Sequence, residues 1–235
     1  MSQNSQKFTD YFDTFLIDLD GVMYLNEIPI DDSVDCVKRL KQAGKTIRYI
    51  TNDPRYTREK FVRRLNNINV KSSKEQIVSS ARATASYLSK SGFDTVDVIG
   101  SEGLKTEIER EGLSINRESP KAVIVGTDEE TSYRDIKRAA QHIHHGAKFI
   151  GTSPDTSFPT PDGPAPGPGA IIEAIKAVIE VEPTIVGKPS ELMFEMALDT
   201  VSSYNNVVVV GDNPATDMAG ANNAELPGVL LDRPD

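Results

Sequence analysis

Several things are scarce in this sequence, and each scarcity excludes a class of protein. Cys36 is the single cysteine in 235 residues, so no internal disulfide forms and a reducing cytoplasm is the expected setting. No uninterrupted apolar run approaches the roughly 20 residues that span a bilayer. The opening Met1–Lys7 stretch is polar, with no apolar signal segment behind it. A formal charge of −9 and a pI near 4.9, with no basic cluster to offset them, disfavour nonspecific nucleic-acid binding. Heptads and short internal repeats are lacking. His142, His144 and His145 are the only histidines. They close a predicted helix before Gly146, where cations suit the helix dipole better than they argue for a metal.

What the sequence does hold is a set of strand-like runs that end in polar groups. Phe15-Leu16-Ile17-Asp18-Leu19-Asp20-Gly21-Val22 delivers two carboxylates, two residues apart, to a glycine. Residues two apart on a strand share a face, although a turn at Gly21 would redirect the second. One carboxylate can attack an electrophile while the other moves a proton, and both suit a divalent cation. Taken alone, the run is equally a strand ending in an acidic turn. Three further runs behave alike: Thr46–Ile50 leads to Thr51-Asn52-Asp53-Pro54, Thr184–Gly187 to Lys188-Pro189, and Val207–Val210 to Gly211-Asp212-Asn213-Pro214 with Thr216-Asp217 behind. In open parallel sheets ligands bind beyond the carboxyl ends of strands, so these four tips are expected to converge on a site for phosphate and a hard cation.

Between the runs lie helical patterns. Val34, Val37 and Leu40 recur at helical spacing from Ser33 to Ala43, with Gly44 as the stop and Cys36 read as core. A helix opens at Thr57 with Phe61, Leu65 and Ile68 on one face; a strand Gln76–Ser79 and a helix Ala81–Ser89 follow. This alternation predicts a mainly parallel sheet covered on both faces. A second series then starts before the first is complete. Strands Val96–Ile99, Ala122–Val125 and Lys148–Ile150 alternate with helices near 103–111, 132–145 and 169–180, and the lysine and later acidic motifs come only afterwards. The order implies an inserted α/β unit, residues 83–181, within a discontinuous core of 1–82 and 182–235; the pattern alone fits either a separate cap or one continued sheet.

The four motifs, in this order, resemble those of the haloacid dehalogenase superfamily of phosphohydrolases, subfamily IIA. The branch they are most like holds NagD-like proteins and phosphoglycolate or 4-nitrophenyl phosphatases. The similarity runs from about Phe15 to Leu231 and includes the stretch from Gly146-Ala147-Lys148-Phe149-Ile150 through Pro159-Thr160, then Pro166-Gly167-Pro168-Gly169-Ala170. It implies an α/β fold: a HAD-like Rossmannoid core with an inserted α/β cap of the C2 type. The implied activity is Mg²⁺-dependent hydrolysis of small phosphate monoesters through an aspartyl phosphate.

By this resemblance Asp18 is the nucleophile and Asp20 the general acid for the leaving oxygen, then the base for water. Dehalogenases proper lack the second aspartate, so Asp20 argues for phosphate chemistry. Mg²⁺ would be held by Asp18, Asp212 and the backbone carbonyl of Asp20. Asp217 is either a further ligand or an orienter behind the ligands, and is read as the orienter. Lys188 would neutralise nucleophile and phosphate. Thr51, Asn52 and Asn213 are the expected phosphate contacts. Many relatives carry a second asparagine where this chain has Asp53, whose charge Arg55 is placed to offset.

Specificity is expected from the insertion. The proline-rich run Ser153–Pro164 reads as a stiff loop with few backbone donors; Asp155 within it and Arg55 in the core are candidate substrate contacts. Gly167-x-Gly169-Ala170 looks like a phosphate-cradling helix start but lacks the rest of any nucleotide fingerprint, so it reads as an ordinary one. The partner expected is a small phosphorylated metabolite, with no nucleic acid and no membrane; a homodimer through the cap is compatible with the resemblance. Relatives usually continue past the strand at Gly228–Leu231, which puts the stability of that sheet edge in question. Two rivals come from other classes. A receiver-type phosphoacceptor also joins acidic residues, a Thr and a Lys on a doubly wound sheet, but neither the Asp18-x-Asp20 spacing nor the insertion suits it. A regulatory binding protein on a phosphatase scaffold is left open by Asp53 and by the shortened region after Leu231.

Overall fold

The computed structural model describes residues 8–26, 28–201 and 206–232. The polar Met1–Lys7 stretch and the terminal Arg233–Asp235 lie outside the described residues. The chain forms β1 (Thr14–Asp18), the antiparallel pair β2 (Tyr24–Leu25) and β3 (Ile28–Pro29), then α1 (Asp31–Gln42), β4 (Thr46–Thr51), α2 (Arg58–Asn67), β5 (Ile77–Ser79) and α3 (Ser80–Lys90). A second series follows: β6 (Thr95–Ile99), α4 (Glu102–Arg110), β7 (Ser114–Ile115), β8 (Ala122–Val125), α5 (Tyr133–His144), β9 (Lys148–Gly151), β10 (Ser157–Thr160), β11 (Gly163–Pro166), α6 (Pro168–Ile179) and β12 (Thr184–Ile185). Finally come α7 (Glu191–Asp199), β13 (Val207–Gly211), α8 (Ala219–Asn223) and β14 (Gly228–Leu230).

Two five-stranded sheets result, ordered β14-β13-β1-β4-β5 and β12-β9-β8-β6-β7. Every strand pairing in both is parallel. All of β1 and all of β8 are buried, as the near-continuous apolar runs of two-sided parallel strands require. Alternation along β1 sorts the core into layers. Phe15 and Ile17 pack with Val34, Val37, Phe61 and Leu65 of α1 and α2. Leu16 points the other way, into a layer shared with Ala81, Ala85 and Leu88 of α3, Leu104 of α4, Phe194 of α7, and Val96 and Ile124 of the second sheet. The two sheets therefore share one apolar layer, and the far face of the second sheet is closed by α5 and α6 through Ile143, Ile172 and Ile175.

Four details differ from the sequence reading. The Thr184-Ile185 strand was expected among the core runs; it pairs with β9 in the second sheet, where Ile185 packs on the apolar layer beneath α5 and α6. The proline-rich run is not simply a loop. β10 and β11 form an antiparallel ribbon with Pro159 opposite Pro164, tolerated because a two-stranded ribbon leaves edges that need no N–H. Cys36 is half-buried at the margin of the core, one position off the buried Val34, Val37, Leu40 stripe. β1 stops at Asp18, and Val22 and Met23 both donate to the Leu19 carbonyl to make a turn, so Asp18 and Asp20 do not lie on one continuous strand.

Helix starts were closer. α6 begins at Pro168, and the Gly167 and Gly169 N–H groups donate to Thr156 and Asp155 carbonyls, so this start offers those donors to its own chain. His142 and His145 face the Arg117 and Gln141 carbonyls.

Candidate active site

Asp18 ends β1, Thr51 ends β4 and Asp212 follows β13, three neighbouring strands of the first sheet, so their tips meet at its carboxyl edge. Lys188 arrives by another route, from the segment between β12 and α7, held by Gly187 N–H donating to the Thr152 carbonyl and Ser190 N–H to the Gly187 carbonyl. Its Nζ lies 2.5 Å from Asp18 Oδ1 and 2.7 Å from Asp217 Oδ1. All three side chains are buried, Asp217 completely.

One ammonium cannot neutralise two buried carboxylates. Burial raises the Asp18 pKa, Lys188 opposes that rise, and the nearby Asp217 charge adds to it. For Lys188 burial works against the charge, but Asp18 and Asp217 outweigh it and the ammonium is held above its usual range. Both directions have one origin, an excess of negative charge in a dry site. Asp20 sits differently: its side chain is 49 % exposed, with Arg64 Nη2 at 3.7 Å. Burial nonetheless pushes its pKa up to about 6 against the pull of Arg64. A carboxyl tuned there exchanges a proton near neutral pH more readily than an ordinary aspartate.

Asp18, Asp212 and Asp217 each bring a carboxylate oxygen within 4.8 Å of the others, and among the described residues no other trio of metal-type ligands does so. Hard oxygen donors of this kind fit Mg²⁺ or a similar cation. Gly21 makes the approach feasible. It adopts φ +81°, and a Cβ there would stand 1.9 Å from Asp212 Oδ2. The oxygens of Asp217 are already engaged, Oδ1 by Lys188 and Oδ2 by the Asn213 N–H.

These groups line one cavity of about 540 Å³. Thr51, buried, accepts the Asp53 N–H at its hydroxyl. Asp53 receives both arms of the Arg55 guanidinium at 2.9 Å, so its charge is matched within the loop. Asn52 donates to Asp155 at 2.8 Å and to the Lys188 carbonyl at 2.9 Å. Asn52 Oδ1 and the Ser153 hydroxyl are buried and without a partner among the described residues. Asn213 is exposed on the rim and spends its Oδ1 on the Ala215 N–H. All the site residues read from sequence thus border the same space. Asp18, Lys188, Asp212 and Asp217 form its floor; Asp20, Thr51, Asn52, Arg55, Asp155 and Asn213 surround it.

The sequence reading missed an aromatic and basic wall of this cavity: Tyr56, Lys60 and Arg64, with Phe158 on the opposing ribbon. Arg55 stacks over Phe158 at 4.0 Å and Arg64 over the buried Tyr24 at 4.2 Å. A signal was present, since Lys60 and Arg64 stand four apart on the helix that follows the Thr51-Asn52 loop, and so share a face.

A buried lysine between carboxylates at the carboxyl edge of a parallel sheet is an arrangement suited to a phosphoryl group. Comparison with known proteins gives the family. Residues 15–114 match the haloacid dehalogenase-like hydrolase model, and residues 185–233 match a second, HAD-hydrolase-like model. The chain is 32 % identical to the 5′-nucleotidase YutF of Bacillus subtilis over 219 residues, covering 92 % of this chain and 86 % of that protein. It is 35 % identical to the acid sugar phosphatase of Staphylococcus haemolyticus over 212 residues, covering 88 % and 81 %. Among solved structures, p-nitrophenyl phosphatase from Archaeoglobus fulgidus superposes with a TM-score of 0.89 at 32 % identity over 93 % of this chain and 85 % of that one. NagD from E. coli K-12 gives 0.88 at 28 % identity over 94 % and 87 %. The chain belongs to the haloacid dehalogenase-like hydrolases, on their NagD-like phosphatase branch.

Proposed function

We propose that this hydrolase is a Mg²⁺-dependent phosphatase of small phosphate monoesters, working through an aspartyl phosphate, with a discontinuous core and an inserted cap that takes in residues 83–181 together with the β12 strand. The observation that carries the reading is the buried Lys188 bridging Asp18 and Asp217 beside Asp212. Asp18, held at the end of a buried strand, attacks phosphorus. The bond to the ester oxygen breaks, and Asp20 gives that oxygen its proton. Asp20, now ionised, takes a proton from water, which attacks the phosphorus of the aspartyl phosphate and returns Asp18 as a carboxylate with release of inorganic phosphate. Lys188 offsets the charge of Asp18 and of the phosphoryl oxygens through both steps. Asp217 positions Lys188 and the Asn213 backbone. Thr51 and Asn52 border the phosphoryl group. Asp18, Asp212 and the Asp20 carbonyl would hold the Mg²⁺, whose charge, when bound, offsets that of the phosphate.

The relatives point to the substrate range. Proteins named 5′-nucleotidase and acid sugar phosphatase align over most of this chain, which supports nucleotides and sugar phosphates as the compounds to try first. The test is phosphate release from 4-nitrophenyl phosphate. We expect multiple turnovers with Mg²⁺, and their loss in EDTA and in Asp18→Asn. A stable phosphoprotein with no turnover would instead support a phosphoacceptor role.

A further inference from the structure

The wall formed by α2 carries charge that the hydrolytic steps do not use. Lys60 and Arg64 both line the cavity that holds Asp18. Lys60 Nζ stands 3.9 Å from the centre of the Tyr56 ring; the Arg64 guanidinium lies 5.8 Å from the same ring and 4.2 Å from that of Tyr24. Arg64 also donates to the Asn26 carbonyl, which with Tyr24 fixes the guanidinium in place. Its carboxylate neighbour, Asp20, is 3.7 Å away, beyond a direct hydrogen bond. The nearby Asp53 and Glu59 are occupied by Arg55 and Arg110, and among the described residues no carboxylate pairs with Lys60.

An exposed lysine is ordinarily just solvated. Here it is seated on an aromatic ring inside a cavity, one helical turn from an arginine already held in position, in a chain of formal charge −9. Two cations on one wall of such a protein make a local field that attracts anions. Their place in the reaction follows from Asp20. The ester oxygen must lie beside Asp20 to take its proton, and Arg64 Nη2 stands 3.7 Å from Asp20 Oδ1, so α2 borders the side of the cavity where the leaving group sits.

We propose that Lys60 and Arg64, with Tyr56 beneath them, form a second anion subsite that binds a carboxylate or a further phosphate on the leaving group of the substrate. This rests on the phosphatase reading, since only that reading gives Asp20 a leaving group to protonate. A planar guanidinium and an ammonium on neighbouring turns suit the two or three oxygens of such an anion. A cavity of about 540 Å³ has room for a small bifunctional ester.

The test compares matched substrates: 2-phosphoglycolate with 2-hydroxyethyl phosphate for a carboxylate, and fructose 1,6-bisphosphate with fructose 6-phosphate for a second phosphate. The wild-type protein should favour the charged member of at least one pair in kcat/KM, and the pair identifies the anion. Lys60→Gln should reduce that preference about tenfold, mainly through KM, and Lys60→Arg should restore most of it. Equal use of charged and uncharged members, or a preference unchanged in Lys60→Gln, overturns the subsite. So does turnover of 4-nitrophenyl phosphate with none of the four. Failure to hydrolyse 4-nitrophenyl phosphate and all four esters overturns the phosphatase reading and the subsite with it.

Discussion

Asn52 joins the two halves of the site with a single side chain, donating from Nδ2 to Asp155 at 2.8 Å and to the Lys188 carbonyl at 2.9 Å. Asn52 follows β4 of the first sheet, whereas Asp155 precedes the β10–β11 ribbon of the inserted series. The amide therefore ties the loop after β4, the ribbon and the lysine backbone into one arrangement.

Replacing that amide tests how much the arrangement matters. Asn52→Asp sets a carboxylate against Asp155 in place of a donor. A hydrogen bond to a charged group contributes about 1.5–3 kcal/mol, and like-charge repulsion is added to its loss. The expected result is a fall in kcat/KM for 4-nitrophenyl phosphate of about a hundredfold, with a smaller fall in Asn52→Ala. Thermal melts of both variants check that the fold persists. Activity in Asn52→Asp within a factor of about two of wild type would mean that the Asn52–Asp155 bond does not position the site.

The excess of buried carboxylates makes a prediction for the metal-free protein. Burial pushes Asp18 up to about 8, and partial loss of solvent at the half-exposed Asp20 pushes it up to about 6, from an ordinary 3.8 for each. Both groups hold a proton more tightly folded than unfolded. Their contribution to stability is thus complete below about pH 4 and lost as pH rises toward 8. In EDTA the melting temperature should fall between pH 5 and pH 8. Asp18→Asn should flatten the part of that fall above about pH 6, leaving the part due to Asp20. Mg²⁺ at pH 8 should raise the melting temperature of the wild-type protein more than that of Asp18→Asn, since a cation held by the folded carboxylates and not by the unfolded chain stabilises the fold. Identical pH profiles for the two metal-free proteins would contradict this account.

Much of this was legible in the sequence, for physical reasons. Buried parallel strands are continuous apolar runs, so β1 and β13 announce themselves, and a strand tip has to carry its polar residues next, so Asp18, Thr51 and Asp212 followed directly. Sheet membership was less visible. Thr184-Ile185 carries the same apolar signal whichever sheet it joins, and its partner β9 lies more than thirty residues upstream. The ribbon was hidden by its prolines, which read as a loop until Pro159 is seen opposite Pro164. Lys60 and Arg64 escaped because a basic pair on a helix is usually a solvated face, and only the tertiary fold shows that this face borders the cavity. The shared layer around α3 was also beyond reach, since Ala81 and Ala85 carry no pattern that says which two sheets they separate.

The inserted series braces the wall that α2 and the loop before it form. Gly103 opens α4 against the loop between β4 and α2, where a Cβ would stand 2.5 Å from the Arg55 carbonyl oxygen and 2.5 Å from the Tyr56 carbonyl carbon. Both are backbone atoms and cannot swing aside. The contact is fastened by the Ser101 hydroxyl donating to the same Arg55 carbonyl at 2.9 Å and by Arg58 reaching the buried Glu107 at 3.0 Å. Gly103→Ala should therefore push α4 away from the Arg55–Tyr56 backbone, with an overpacking cost of about 1–3 kcal/mol in urea denaturation. Because Tyr56 is the ring beneath Lys60, the displacement should also raise KM for substrates with a charged leaving group more than it lowers kcat. Ser101→Ala, which loses one hydrogen bond and adds no volume, should cost about 1 kcal/mol and move KM less. Wild-type stability with wild-type KM in Gly103→Ala would mean that the loop yields freely, and that α4 does not hold the wall in place.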